Sequence, residues 1–427
     1  MLKRSLLVAA ALLAVTLTPA TALAHPAGVR TADYDLGDAV FHVPGFHTSP
    51  VEGEPARLAD LELVGRVHYP ADLARRGKLP LVLIQHGLWH SCADRDAEAA
   101  WKSSYGALYG ADPVTDPAEV ERLELRLQDA SVALSRWPCA PGTPALPNHR
   151  GYDYLGRALA ERGFVVVSIG VSGVNAGEMG QIADLARAEV GYEHLRMWRR
   201  LAEDGTGPLA GALGRLGFTG HVDLGSVGVV GHSRGGRGVM WQAAEANRGR
   251  MPEGVAIRAV VPLAAVTYYA PDDDAPENLD YRVTDIPFGA LAGSCDYATG
   301  GPQYFANARG RNTAQIALWE VQGANHNAYN TEWSPSSGQV MATDDAAEAW
   351  AGGPSTRPGP GRCAQVADDR PVRQLTESQQ RQVAVTYLSA FFAKHLKGDR
   401  RFDAVVDGTS SPLAHLAPIT VTTDPGR

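Results

Sequence analysis

The stretch Ser226-Val-Gly-Val-Val-Gly-His-Ser-Arg-Gly-Gly-Arg-Gly238 constrains the fold of this chain more than any other. Its valine-rich run, Val227 to Val230, reads as a buried strand. Gly231-His-Ser-Arg-Gly235 follows at once, and Gly238-Val-Met-Trp-Gln-Ala-Ala-Glu-Ala246 then reads as a helix. A strand that reverses this sharply into a helix has no room for side chains two residues before and two after the turn. Gly231 and Gly235 stand at those two positions. Ser233 is then expected in a strained backbone conformation with its hydroxyl raised above the end of the sheet, which makes it a candidate nucleophile.

The rest of the chain supplies a setting for that turn. Asp33–Phe46 and Leu58–Tyr69 predict two early strands joined by a polar turn. Leu79-Pro-Leu-Val-Leu-Ile-Gln85 is a continuous apolar run, the pattern of a strand buried on both faces of a parallel sheet. Gly151–Gly163 predicts an amphipathic helix closed by glycine, leading into a strand over Phe164–Ile169. Val171–Gly180 reads as a loop and Gln181–Glu203 as one long helix. Further strands are expected over Val255–Leu263, Ile286–Ala292 and Ile316–Val321. Gln374–Lys397 is an amphipathic helix with an apolar stripe of Val383, Tyr387, Leu388, Phe391 and Phe392, followed by a polar tail expected to pack loosely. Strands alternating with helices indicate an α/β protein with a mostly parallel central sheet and helices on both faces. Between Ser91 and Asn148 the pattern changes to two helices, Ala97–Tyr109 and Pro117–Leu134. This segment (91–148) is read as a lid-like helical insertion after the third strand.

Met1-Leu-Lys-Arg-Ser5, an apolar run from Leu6 to Leu17 and Ala22-Leu23-Ala24 have the form of a secretory signal peptide (1–24). One domain over residues 25–427 and a secreted, extracellular location are therefore expected. The apolar run is short for a bilayer span, and no stable membrane anchor is expected. Lys and Arg number 39 against 47 Asp and Glu, a net charge of −8, which argues against a nucleic-acid partner. The cysteines are Cys92, Cys139, Cys295 and Cys363. An even number in an exported chain implies disulfides. Of the possible pairings, spacing favours Cys92 with Cys139 and Cys295 with Cys363. No Cys-x-x-Cys spacing suggests a metal, and Asp272–Asp274 reads as a solvated turn rather than a calcium loop. No metal or cofactor is expected.

Three pieces, Gly151-Tyr-Asp-Tyr-Leu155, Gly231-His-Ser-Arg-Gly-Gly236 and Gly323-Ala-Asn-His-Asn327, carry a resemblance to the α/β-hydrolase superfamily. The chain resembles secreted bacterial serine hydrolases, similar in outline to the dienelactone hydrolase, cutinase and platelet-activating-factor acetylhydrolase branches. The resemblance implies the α/β-hydrolase fold and hydrolysis of a carboxylic ester, of a small molecule or a polymer. It also implies a triad in the chain order serine, acid, histidine. Asp296, just past the Ile286–Ala292 strand, is then the acid; Asp285 and Glu320 are weaker choices. His326, on the glycine-bearing loop after Ile316–Val321, is the base, with Asn325 and Asn327 positioned to brace that loop. The N–H groups of Leu88, after His86-Gly87, and of Arg234 are the expected oxyanion hole. Arg234 departs from many lipases, which carry a smaller or apolar residue there; a cation would suit an acidic substrate or bond the scaffold. Acyltransferases and peptidases use the same fold and triad. A non-catalytic binding protein is the reading from a different class, and an intact serine, acid, histidine and oxyanion loop argues against it.

Overall fold

Along Leu79–Gln85 successive side chains point to opposite faces, and both faces are covered. Leu81 and Leu83 enter one apolar core, Val82 and Ile84 the other, and all four are fully buried. The computed structural model describes residues 28–49, 55–108, 110–112, 114–269, 277–342 and 361–427. The expected signal peptide and Asp272–Asp274 lie outside the described residues.

The strands are β1 (Val29–Asp35), β2 (Val64–Pro70), β3 (Leu79–Gln85), β4 (Val165–Ile169), β5 (Val222–His232), β6 (Ile257–Leu263), β7 (Phe288–Gly293), β8 (Ile316–Val321) and, in a separate hairpin, β9 (Arg362–Ala364) and β10 (Pro371–Arg373). The last is β11 (Ile419–Asp424). Among the described residues nine strands form one sheet in the order β1-β2-β4-β3-β5-β6-β7-β8-β11. The run β4-β3-β5-β6-β7-β8 is parallel. β1 and β2 border it antiparallel on one side and β11 on the other. The protein is thus α/β with a large, mostly parallel central sheet.

The helices are α1 (Arg95–Leu108), α2 (Pro117–Ser135), α3 (Asp153–Glu161), α4 (Ser172–Ala176), α5 (Gln181–Asp204), α6 (Ala210–Leu213), α7 (Arg234–Ala243), α8 (Gly300–Ala308), α9 (Glu377–Lys397) and α10 (Asp403–Val406). One sheet face is covered by α5, α7 and α8, through side chains such as Leu195, Trp198, Met240 and Tyr304. The other is covered by α3 and α9, whose stripe Val383, Tyr387, Leu388, Phe391 and Phe392 is fully buried. A capping box of Thr376 and Gln379 starts α9 and left-handed Gly398 ends it, so its span is set locally.

Both favoured disulfides are present, Cys92–Cys139 and Cys295–Cys363. The first, with a bridge between Cys92 and Ala145, closes the base of the α1–α2 segment. Ala97, Ala130, Leu134 and Leu146 of that segment form a small apolar cluster with Val340 and Met341. It therefore packs on the chain that follows β8. Among the described residues no helix is long and apolar enough to cross a membrane.

Three expectations require correction. The first strand starts earlier than the sequence suggests, at Val29, and already ends at Asp35, and the second starts only at Val64. Gly37 and Gly45 adopt φ of 120° and 81°, which breaks the extended run, and Phe41 and His47 make only isolated bridges to Leu61 and Leu58. The loop after β4 contains the short helix α4, whose Gly173 N–H donates to the buried Glu62 carboxylate at 2.8 Å. The tail is not loosely packed: β11 pairs with β8 along its whole length, and Leu413 and Ala417 are buried in the α9 core. Its Ile-Thr-Val-Thr-Thr run looks polar because an edge strand needs few apolar residues, yet it is rich in β-branched side chains.

Candidate active site

In a parallel sheet the carboxyl ends of the strands share one edge, and ligands bind along it. Here that edge collects the loops after β3, β5, β7 and β8, which carry Gly87-Leu88, Ser233, Asp296 and His326.

Ser233 follows β5 directly and precedes α7, with φ 58° and ψ −123°. A non-glycine residue held there is strained, and the surroundings account for its persistence. A Cβ on Gly231 would lie 2.0 Å from the Gly235 carbonyl oxygen, and one on Gly235 would lie 2.7 Å from the carbonyl oxygens of Gln85 and His86. Only glycine fits at either place. The Ser233 N–H donates to Leu263 at 3.0 Å, and its carbonyl accepts from Gly236 at 2.9 Å. α7 begins at Arg234, four residues before the predicted helix, since the turn itself delivers the chain into helical geometry.

His326 Nδ1 donates to Asp296 Oδ1 at 2.9 Å, and Asp296 Oδ1 also accepts from the Ala298 N–H at 2.7 Å. The pair is 2% and 1% exposed, so the bond acts in a dry setting. A carboxylate can only accept, so the proton of the neutral imidazole sits on Nδ1 and Nε2 is the basic nitrogen. The alternative acids are elsewhere: Asp285 pairs with Arg248 at 2.7 Å, and Glu320 is exposed on β8.

His326 is tied to the Ser233 turn by a residue that sequence reasoning passed over. The ring of His232, next to Ser233, lies 5.0 Å from the His326 ring, centroid to centroid. His232 Nε2 donates to the His326 carbonyl at 3.0 Å, and its Nδ1 accepts from the Tyr152 hydroxyl at 2.9 Å. Burial first, then the neighbouring His326, push the His232 pKa well below the ordinary histidine value, so it is a neutral strut. Trp333 lies tilted against it at 4.7 Å, and Trp89 stacks on Trp333 at 5.5 Å.

Asn325 braces the loop as expected, accepting from the Ala328 N–H at 3.2 Å. Its backbone is also clasped by Gln380 of α9, which accepts from the Asn325 N–H at 2.9 Å and donates to its carbonyl at 2.6 Å. Tyr152 lies inside the Gly-Tyr-Asp-Tyr-Leu piece, and Gln380 is a polar interruption of an apolar helix face. Those were the signals available for them.

The loop after β3 meets Ser233 directly. A Cβ on Gly87 would stand 2.4 Å from Ser233 Cβ and 3.1 Å from Ser233 Oγ. Among the described residues neither the Leu88 N–H nor the Arg234 N–H donates a hydrogen bond within the protein. Leu88 follows Gly87, which meets Ser233, and Arg234 follows Ser233 in the chain. The Arg234 side chain reaches Met179 Sδ at 2.9 Å and forms no ion pair among the described residues. A depression of about 500 Å³ lined by Asn325, Ala328, Arg362 and Arg381 lies behind the His326 loop rather than over Ser233. Among the described residues no cluster of three or more His, Cys, Asp or Glu side chains could hold a metal ion.

No protein-family model matches the chain, and no curated protein matches it.

Proposed function

We propose that this chain is an exported serine hydrolase of the α/β-hydrolase type that cleaves carboxylic esters through Ser233, His326 and Asp296. The observation that carries the reading is a convergence. A serine at φ 58° lies against Gly87 at one end of β5, and a dry Asp296–His326 pair is fastened to the residue preceding it. A strand order with a parallel centre and antiparallel borders supports the same fold assignment. The disulfides support export.

In this mechanism His326 Nε2 takes the Ser233 proton as Oγ attacks the ester carbonyl carbon. Asp296 holds the tautomer and stabilises the imidazolium. The Leu88 and Arg234 N–H groups stabilise the oxyanion, each by about 3 kcal/mol. The imidazolium then gives its proton to the departing alcohol as the acyl-enzyme forms. Water, activated by the same nitrogen, releases the acid. The α1–α2 segment would act as a wall or lid, since its root joins the aromatic cluster of Trp89, Trp333 and His232.

The test is hydrolysis of p-nitrophenyl esters of graded acyl length by wild type and Ser233→Ala, with fluorophosphonate labelling mapped by mass spectrometry. Turnover by the variant should fall by several orders of magnitude, and the label should sit on Ser233. Near-normal turnover by Ser233→Ala would end the proposal.

A further inference from the structure

Behind the loop after β3 lies a buried arginine that forms no direct ion pair among the described residues. Arg187 of α5 is 2% exposed, and among the described residues no acid comes within ion-pair distance of it. Asp184, one turn earlier, is taken by Arg237 at 2.7 Å and by the Tyr281 hydroxyl at 2.7 Å. Arg187 bonds instead to Asn175 Oδ1 and, at 3.1 Å, to the His86 carbonyl. α7 makes room for it: a Cβ on Gly238 would stand 2.8 Å from Arg187 Cβ. The charges of Asp184 and Glu62 act on it only at a distance, and burial outweighs them, pushing its pKa down to about 9; a buried cation without a direct partner is unfavourable for stability alone, and an apolar side chain would serve a core better.

The bonds lead to one peptide group. Asn175 Nδ2 donates to the Gly87 carbonyl at 3.0 Å, and His86 Nδ1 donates to the same oxygen at 2.8 Å. His86 Nε2 accepts from the Val171 N–H at 2.9 Å, which requires the proton to be on Nδ1. Arginine can only donate, so it turns Asn175 Oδ1 toward itself and leaves the amide NH2 facing Gly87. In a trans peptide the C=O and the N–H point in opposite directions. Fixing the Gly87 carbonyl from behind therefore aims the Leu88 N–H forward, on the side where Gly87 meets Ser233.

We propose that Asn175, oriented by Arg187, is a positioning residue for the Leu88 N–H, and that the Arg187 charge behind this peptide favours the oxyanion that the N–H receives. The inference rests on the reading of Ser233 as nucleophile. It extends the working site to α4 and α5.

Asn175→Asp separates this role from packing. The new side chain matches the old in size and can pair with Arg187, but it sets an oxygen against the Gly87 carbonyl in place of a donor. Full-length wild type and variant are compared by rate of fluorophosphonate labelling at Ser233, by kcat and KM on a p-nitrophenyl ester, and by thermal unfolding. The expected result is a loss of about 100-fold in labelling rate and kcat, with KM within about twofold and the unfolding temperature little changed. Should that variant fail to fold, Asn175→Ala takes its place, with a loss of about tenfold expected because His86 still holds the carbonyl. Labelling and kcat at wild-type level in the folded variant would overturn this inference and leave Ser233 in its role. Absence of any label on Ser233 in the wild type would overturn the reading of the site and this inference with it.

Discussion

Gly87→Ala tests the close approach of the β3 loop to Ser233. The added methyl would stand 2.4 Å from Ser233 Cβ and 2.7 Å from the His232 carbonyl oxygen. Ordinary carbon–carbon contact begins near about 3.5 Å, so roughly 1 Å of separation must open. Neither neighbour yields easily. The Ser233 N–H is bonded to Leu263 at 3.0 Å, and His232 is the last residue of β5, paired with β6. The movement therefore falls on the loop that carries the Leu88 N–H. Gly87 does not occupy the positive-φ region, so the penalty is one of space and not of backbone conformation. Overpacking of this kind costs about 1–3 kcal/mol of stability. A 1 Å displacement of a catalytic donor costs about 100-fold, which is about 2.7 kcal/mol in the barrier.

The assay is kcat/KM on a short p-nitrophenyl ester together with urea unfolding. Gly106→Ala serves as control, since Gly106 lies on α1 with nothing within 4 Å of its added Cβ. The control should keep full activity and gain up to about 1 kcal/mol from helix propensity. A folded Gly87→Ala protein with activity within about threefold of wild type would refute the contact on which the oxyanion assignment depends.

Acid should destabilise the protein through its buried histidines. His86 and His194 are fully buried, and burial, the largest cause for each, lowers their pKa values to about 3. Their folded values lie below the unfolded value of about 6.5, so their stabilising effect is intact above that pH and is lost as pH falls toward 3. Urea unfolding at pH 5.5 should show about 3 kcal/mol less stability than at pH 7.5 from these two alone; a flat profile would contradict their burial in neutral form. The disulfides span 47 and 68 residues, so removing either by paired Cys→Ser substitution should cost about 4 kcal/mol in urea unfolding. Loss of Cys295–Cys363 should also lower ester turnover, because Cys295 adjoins Asp296 and its N–H donates to the Ala324 carbonyl at 3.0 Å, in the loop that leads to His326.

The class of fold was legible because β3, β4 and β6 are mostly apolar runs and the helices between them carry one-sided stripes. Such patterns follow from local periodicity and burial alone. The glycine spacing around Ser233 was legible for the same reason, since the turn excludes side chains at named positions. The bounds of β1 and β2 differ from expectation because an alternating pattern does not say where pairing starts or stops. β11 was missed because an edge strand takes its stability from its neighbour, here β8, and not from its own apolar content.

Sequence by itself determined the order of Ser233, Asp296 and His326 along the chain and the strand ends that carry them. Tertiary structure alone decided what holds them: Tyr152 and His232 behind His326, Gln380 clasping its loop, and Asn175 with Arg187 behind the Gly87–Leu88 peptide. These partners come from other elements far along the chain. Their worth lies in the direction of a donor in a dry interior, and direction is a property of packed elements that no spacing along a chain encodes.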